Sequence, residues 1–188
     1  MDKSKSASKR NILLLISGLL LAATVVLCFQ AGFLIIHRKE KYICRELDEY
    51  NLPITKNQID EEDFNVIEGV LFYPFFQPSA YRNKTAGPYG LYIQVHKANP
   101  AVNSEINHIY IKRKQGDIKL EEQDLEFSKL NGFEVLSSKE KLHLNSDGNN
   151  RLDLILSVTV TKNQKTIDDN IRFDFAAQKR TYLTGPVN

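Results

Sequence analysis

Tryptophan is missing from this chain, methionine occurs once and cysteine twice. Both cysteines, Cys28 and Cys44, fall in the first quarter, so nothing beyond residue 44 can form a disulfide or a thiolate metal site. The four histidines, His37, His96, His108 and His143, stand singly and make no H-x-x-x-H or H-E-x-x-H pair. A G-x-S-x-G elbow, a glycine-rich phosphate loop and a dinucleotide fingerprint are absent as well. The loop NSDGNN at 145–150 resembles a calcium loop only superficially. Aligning Gly148 with the glycine of such a loop puts His143 and Leu154 where carboxylates are required. These absences predict no enzyme, no catalytic residues, no metal site and no cofactor.

A surplus of one charge sign is lacking too. Residues 1–50 hold eight Lys/Arg against five Asp/Glu, and residues 51–188 hold seventeen against eighteen. Nucleic acid demands a basic surface, which a near-neutral domain does not offer, so no nucleic-acid partner is expected.

What is present begins with residues 12–36, ILLLISGLLLAATVVLCFQAGFLII, which carry no charged side chain. As a helix this run spans roughly 37 Å, enough to cross a bilayer with some tilt. It is too long for a secretory h-region and no A-x-A site closes it, which predicts an uncleaved signal anchor over 11–36. Lys3, Lys5, Lys9 and Arg10 flank one side, and Arg38, Lys39, Lys41 and Arg45 the other. The positive-inside count therefore ties. A short basic tail at 1–10 followed by a long apolar run favours a cytoplasmic N-terminus, with residues 51–188 outside. The expected location is a bacterial inner or plasma membrane, crossed once.

After the anchor, Ile43, Leu47 and Tyr50 recur at i, i+4 and i+7 among charged neighbours. This spacing predicts an amphipathic stalk helix within 37–56, ending before Pro53. These three residues are the candidate stalk helix contacts.

From about residue 64 the apolar period changes from 3.6 to 2. Leu152, Leu154, Leu156, Val158 and Val160 alternate with polar residues, as do Ile171, Phe173, Phe175 and Ala177. They predict an antiparallel hairpin joined by a long polar loop at 162–170. Shorter alternations surround Leu91, Ile93 and Val95, Ile109 and Ile111, Ile118 and Leu120, Leu125 and Phe127, Phe133 and Val135, and Leu142 and Leu144. A turn is expected at 86–90, AGPYG. Seven or eight strands without intervening helical patterns predict a mainly β chain. Its domain at 57–188 reads as an antiparallel β-sandwich, Ig-like or jelly-roll-like.

The densest local feature is LFYPFF at 71–76, with Pro78 and Tyr81 behind it. Aromatic side chains bury about 150–250 Å² each and dominate cores and interfaces alike. Pro74 and Pro78 fit a central strand poorly. Two readings stand: an exposed loop for a partner or lipid, or an edge segment sealing the core. Phe72, Tyr73, Phe75, Phe76 and Tyr81 are the candidate partner- or lipid-binding residues. The sequence as a whole predicts a membrane-anchored domain for protein–protein interaction in a membrane or cell-envelope assembly, with room for a homo-oligomer. A tethered carrier for a lipid or hydrophobic ligand is the alternative, and a tethered hydrolase the third.

Overall fold

The computed structural model describes residues 3–30, 35–47, 54, 59–60, 62–81, 84–130, 133–144 and 151–184. The side chains of 3–13, 81, 84–86 and 130 are outside the description. The chain divides into two compact units: residues 1–38 with 181–188, and residues 39–180.

The first unit contains helix α1, Lys3–Gln30. Its described side chains point outward as apolar groups on every side: Leu14, Leu15, Ile16, Leu19, Leu20, Leu21, Val25, Val26, Leu27 and Phe29 are all exposed. The hydroxyls of Ser17 and Thr24 donate back to the carbonyls of Leu14 and Leu20, at 2.9 and 2.8 Å. Among the described residues no helix is long and apolar enough to cross a membrane. The described side chains start at Leu14, two positions inside the apolar run of the sequence. In the same unit His37 stacks on Tyr182 with centroids 5.1 Å apart, and its Nε2 lies 2.7 Å from Thr184 Oγ1.

Two expectations fail where the helix ends. The apolar run does not form one rod to residue 36, because Ile35 and Ile36 open strand β1, Ile35–Cys44. Nor is there a stalk helix through 37–47. Tyr42 and Cys44 are buried, Glu40 is half-buried, and Lys39 and Lys41 face out, a period of two. Three residues at helical spacing are too short a pattern to outweigh ladder hydrogen bonds to β4 and β10, the strands on either side of β1. Ile43 is half-buried on the face opposite Tyr42, Leu47 is buried in a 3-10 turn at Arg45–Leu47, and Tyr50 lies outside the described residues.

The second unit is mainly β. Its further strands are β2 (Val66–Ile67), β3 (Val70–Tyr81), β4 (Lys84–Lys97), β5 (Asn103–Arg113), β6 (Ile118–Leu120), β7 (Leu125–Leu130), β8 (Phe133–Ser138), β9 (Arg151–Lys162) and β10 (Lys165–Thr184). The hydrogen-bonded order is β2-β3-β4-β1-β10-β9-β5-β6, and β8 joins β4 to β7. The strands thus make two antiparallel sheets, β2-β3-β4-β8-β7 and β1-β10-β9-β5-β6, joined through β1. Both sheets feed one core: Phe76 of β3, 4% exposed, meets Phe175 of β10, 1% exposed, edge-on at 5.0 Å. Fully burying each such ring contributes about 1.5–3 kcal/mol.

The β9–β10 hairpin forms as its alternation predicts, but without the long loop. Lys165 pairs with Lys162, leaving Asn163 and Gln164 as a two-residue turn with φ of 50° and 64°. Two successive left-handed residues match the twist of the flanking strands, so the polar stretch continues the ladder. The AGPYG signal is likewise no turn. It lies inside β4, where Pro78 pairs with Tyr89 and Ser79 with Ala86, leaving Gly87 and Pro88 as a bulge. Ser79 Oγ donates to the Pro88 carbonyl at 2.7 Å. The prolines of β3 are tolerated because beyond Leu71 only β4 pairs with that strand among the described residues, so Pro74 sits on an edge.

Candidate functional site

Strand β5 enters the core with Ser104 and Ile106 inward, opposite Val160 and Val158 of β9. The register then shifts between Ile106 and His108, so that Asn107 is extra and Ile109 and Ile111 face inward against Leu156 and Leu154. Asn107 Nδ2 donates to Thr159 Oγ1 at 2.9 Å, which holds the bulge. On its other side β5 pairs with β6 only at 109–111. Among the described residues no strand pairs with that edge from 103 to 108.

Across from this edge stands the β7–β8 hairpin. Val95 of β4 pairs with Glu134, Ile93 with Leu136, and Leu136 with Phe127, which places Leu125, Phe127, Glu134 and Leu136 on the face shared with the core. Between β5 and this face lies a cleft of about 800 Å³, lined among others by Ser104, Ile106, Leu125, Phe127 and Leu136. Phe127 is 58% exposed, although it faces the interior side of its sheet. The Ser104 hydroxyl is shielded from water and has no hydrogen-bond partner among the described residues.

The charged rim is mostly acidic. Glu105, Glu122 and Glu134 border the cleft against Lys139 and His108. Glu134 pairs with Lys97 at 3.0 Å, and Lys139 Nζ donates to the Gln123 carbonyl at 2.7 Å. Glu105 and Glu122 form no ion pair among the described residues. No base holds the Ser104 hydroxyl, and among the described residues no three His, Cys, Asp or Glu side chains converge as metal ligands. The arrangement offers shape, a strand edge and charge.

The sequence-selected aromatics are separated by strand parity. Phe72 and Phe76 are buried in the core, where Phe76 also meets Tyr42 at 5.7 Å. Tyr73 and Phe75 are half-buried on the opposite face, and Phe75 stacks on Tyr92 with centroids 5.4 Å apart and planes 14° from parallel. The side chain of Tyr81 lies outside the described residues. None of the other four lines the cleft. Phe127 and Glu105 were not singled out from the sequence. Their placement follows from the β5, β8 and β4 registers, which no local pattern encodes.

Elsewhere, the Cys44 thiol is buried. Burial, then its hydrogen bond to Glu46 at 3.0 Å and the Glu46 charge, push the thiol up to about 12. Burial alone holds the His96 imidazole below its ordinary value. At the Glu68–Gly69 turn, Lys162 lies 2.9 Å from Glu68 and lowers its carboxyl, mainly through the hydrogen bond. The chain matches no protein-family model, no curated protein and no solved structure.

Proposed function

We propose that this chain is a single-pass membrane protein whose α1 lies in the bilayer and whose β-sandwich head recognises other proteins of a membrane or envelope assembly. The observation that carries the reading is the surface of α1. Its apolar side chains project on all sides, and its two described hydroxyls are satisfied by the helix's own carbonyls. A helix apolar all round requires an apolar medium or a buried site, and internally bonded hydroxyls suit lipid. From Ile12 to Phe29 the rise is roughly 26 Å, a few Å short of a typical hydrocarbon core, a mismatch that a locally thinned bilayer accommodates. The head's cleft, a strand edge beside an apolar floor, supports recognition. A basic stretch at 1–10 ahead of the apolar run supports a head outside the cytoplasm, at a plasma or bacterial inner membrane.

Membrane fractionation after an alkaline carbonate wash tests the anchor, and protease added from outside tests the orientation. The full chain stays with the pellet and its head is digested from outside. Recovery in the aqueous fraction sinks the reading. Photo-crosslinking in the native membrane then yields adducts to other proteins through the head. A second reading, carriage of an apolar ligand, is favoured by the exposed Phe127 in the 800 Å³ cleft. Saturable binding of a fluorescent fatty acid distinguishes it.

A further inference from the structure

We infer that the cleft between β5 and the β7–β8 hairpin takes an extended segment of a partner protein. Its apolar side chains alternate with Lys or Arg, and it adds as a strand to the free edge of β5. This rests on the recognition reading above and names what the head recognises.

The strand edge is the first support. From 103 to 108 β5 is laddered to β9 on one side, while among the described residues its other side carries no partner. Alternate residues there present N–H and C=O groups to the gap, the groups used when a peptide adds to a sheet. About six residues at 3.3 Å each give an edge of roughly 20 Å.

The floor of the gap is the second. Phe127 lies on the core face of its sheet yet is 58% exposed, whereas Phe72 and Phe173 on the core faces of their strands are fully buried. Leu125 and Leu136 extend the same apolar surface. A volume of about 800 Å³ suits a short segment with its side chains. The shielded Ser104 hydroxyl, unpaired among the described residues, adds a polar group within the wall.

The rim selects the occupant. Glu134 is paired with Lys97, while Glu105 and Glu122 form no ion pair among the described residues and face Lys139 and His108, so the rim disfavours the carboxylates of fatty acids and the phosphates of lipids. An extended chain with alternating side chains places apolar groups against Phe127 and cationic ones toward the rim. A lipid satisfies neither the strand edge nor the acidic rim.

The test uses the full chain in dodecyl maltoside. The probe is a fluorescein-labelled peptide of about ten residues alternating valine and lysine, read by fluorescence anisotropy. It binds saturably; Phe127→Ser and, separately, Glu105→Lys each weaken it about tenfold, a hot-spot effect. N-methylation of alternate peptide amides abolishes binding, because those amides donate to the β5 edge. Unchanged far-UV dichroism of Phe127→Ser is expected, and Glu105→Lys leaves the apolar floor intact as a second variant. Failure to saturate at millimolar peptide overturns the proposal, as does equal binding of the N-methylated peptide. A valine–glutamate peptide binding as well as the valine–lysine one removes the charge selection and overturns it too. Binding of dansyl-undecanoate that Phe127→Ser abolishes, or self-association that it abolishes, assigns the cleft to a lipid or a second copy instead. If peptide binding fails while membrane crosslinks through the head persist, only the cleft assignment falls; if the crosslinks are absent too, the recognition reading falls with it.

Discussion

The β9–β10 and β7–β8 hairpins are built on the same alternation and end in opposite situations. In β9 and β10 every inward residue from Leu152 to Val160, with Ile171, Phe173 and Phe175, is at most 3% exposed. In β7 and β8 the inward Phe127 is 58% exposed and Leu136 only half-buried. The first hairpin has the opposite sheet across from it; the second reaches past the point where β5 is paired on both sides. A period of two thus says which face of a strand is apolar, while the cover over that face comes from strands distant in sequence.

The largest effect expected is at the covered hairpin. Phe173→Ala costs about 3–5 kcal/mol in urea unfolding of the detergent-solubilised chain, whereas Phe127→Ala stays within about 0.5 kcal/mol. Equal losses would erase the contrast between the hairpins. The same contrast holds within β3, where Phe76→Ala costs about 3–5 kcal/mol and Phe75→Ala, on the outer face, far less.

A smaller effect comes from His96, which lies against Phe133 with ring centroids 4.9 Å apart. Its folded value is depressed from 6.5 by burial, so the unfolded chain takes up the proton first. Stability is therefore whole above 6.5 and falls as the pH drops below it. His96→Gln flattens that slope in melts between neutral and mildly acidic pH; an unaltered slope would assign it to other groups.

The smallest change sharpens the closed hairpin further. Gln164 holds a φ of 64°, and Gln164→Gly relieves it in an Asn-Gly turn. A gain of about 0.5–1 kcal/mol is expected in the same unfolding assay. A loss would mean that the Gln164 side chain has a role the turn geometry does not require.

How much of this was legible in the sequence follows from where each signal resides. The β9–β10 alternation is long, local and apolar, and it declares both strands and their inward faces. The prolines of β3 read as breakers of a central strand, yet at an edge Pro74 forfeits no ladder bond. The stalk reading rested on Ile43, Leu47 and Tyr50, whereas the informative set was Glu40, Tyr42 and Cys44. A carboxylate and a thiol disguised that alternation. The cleft was illegible because Phe127 looks like any inward strand residue until the β4–β8 and β5–β9 registers are known. Its acidic rim comes from β5, β8 and the 3-10 turn at Glu122–Asp124, three segments with no common motif.

Asn107 carries a consequence for how this domain tolerates change in length. It is the supernumerary residue of β5, with Ser104 and Ile106 inward before it and Ile109 and Ile111 inward after it. Odd and even exchange roles at that one position. Deleting it would remove the bulge and leave Ile106, His108 and Ile109 opposite Val158, Ser157 and Leu156 in unbroken alternation, with both isoleucines still on the oily side. A gap of a single amino acid is absorbed there, whereas the same gap elsewhere in the strand puts its alternation out of step with β9.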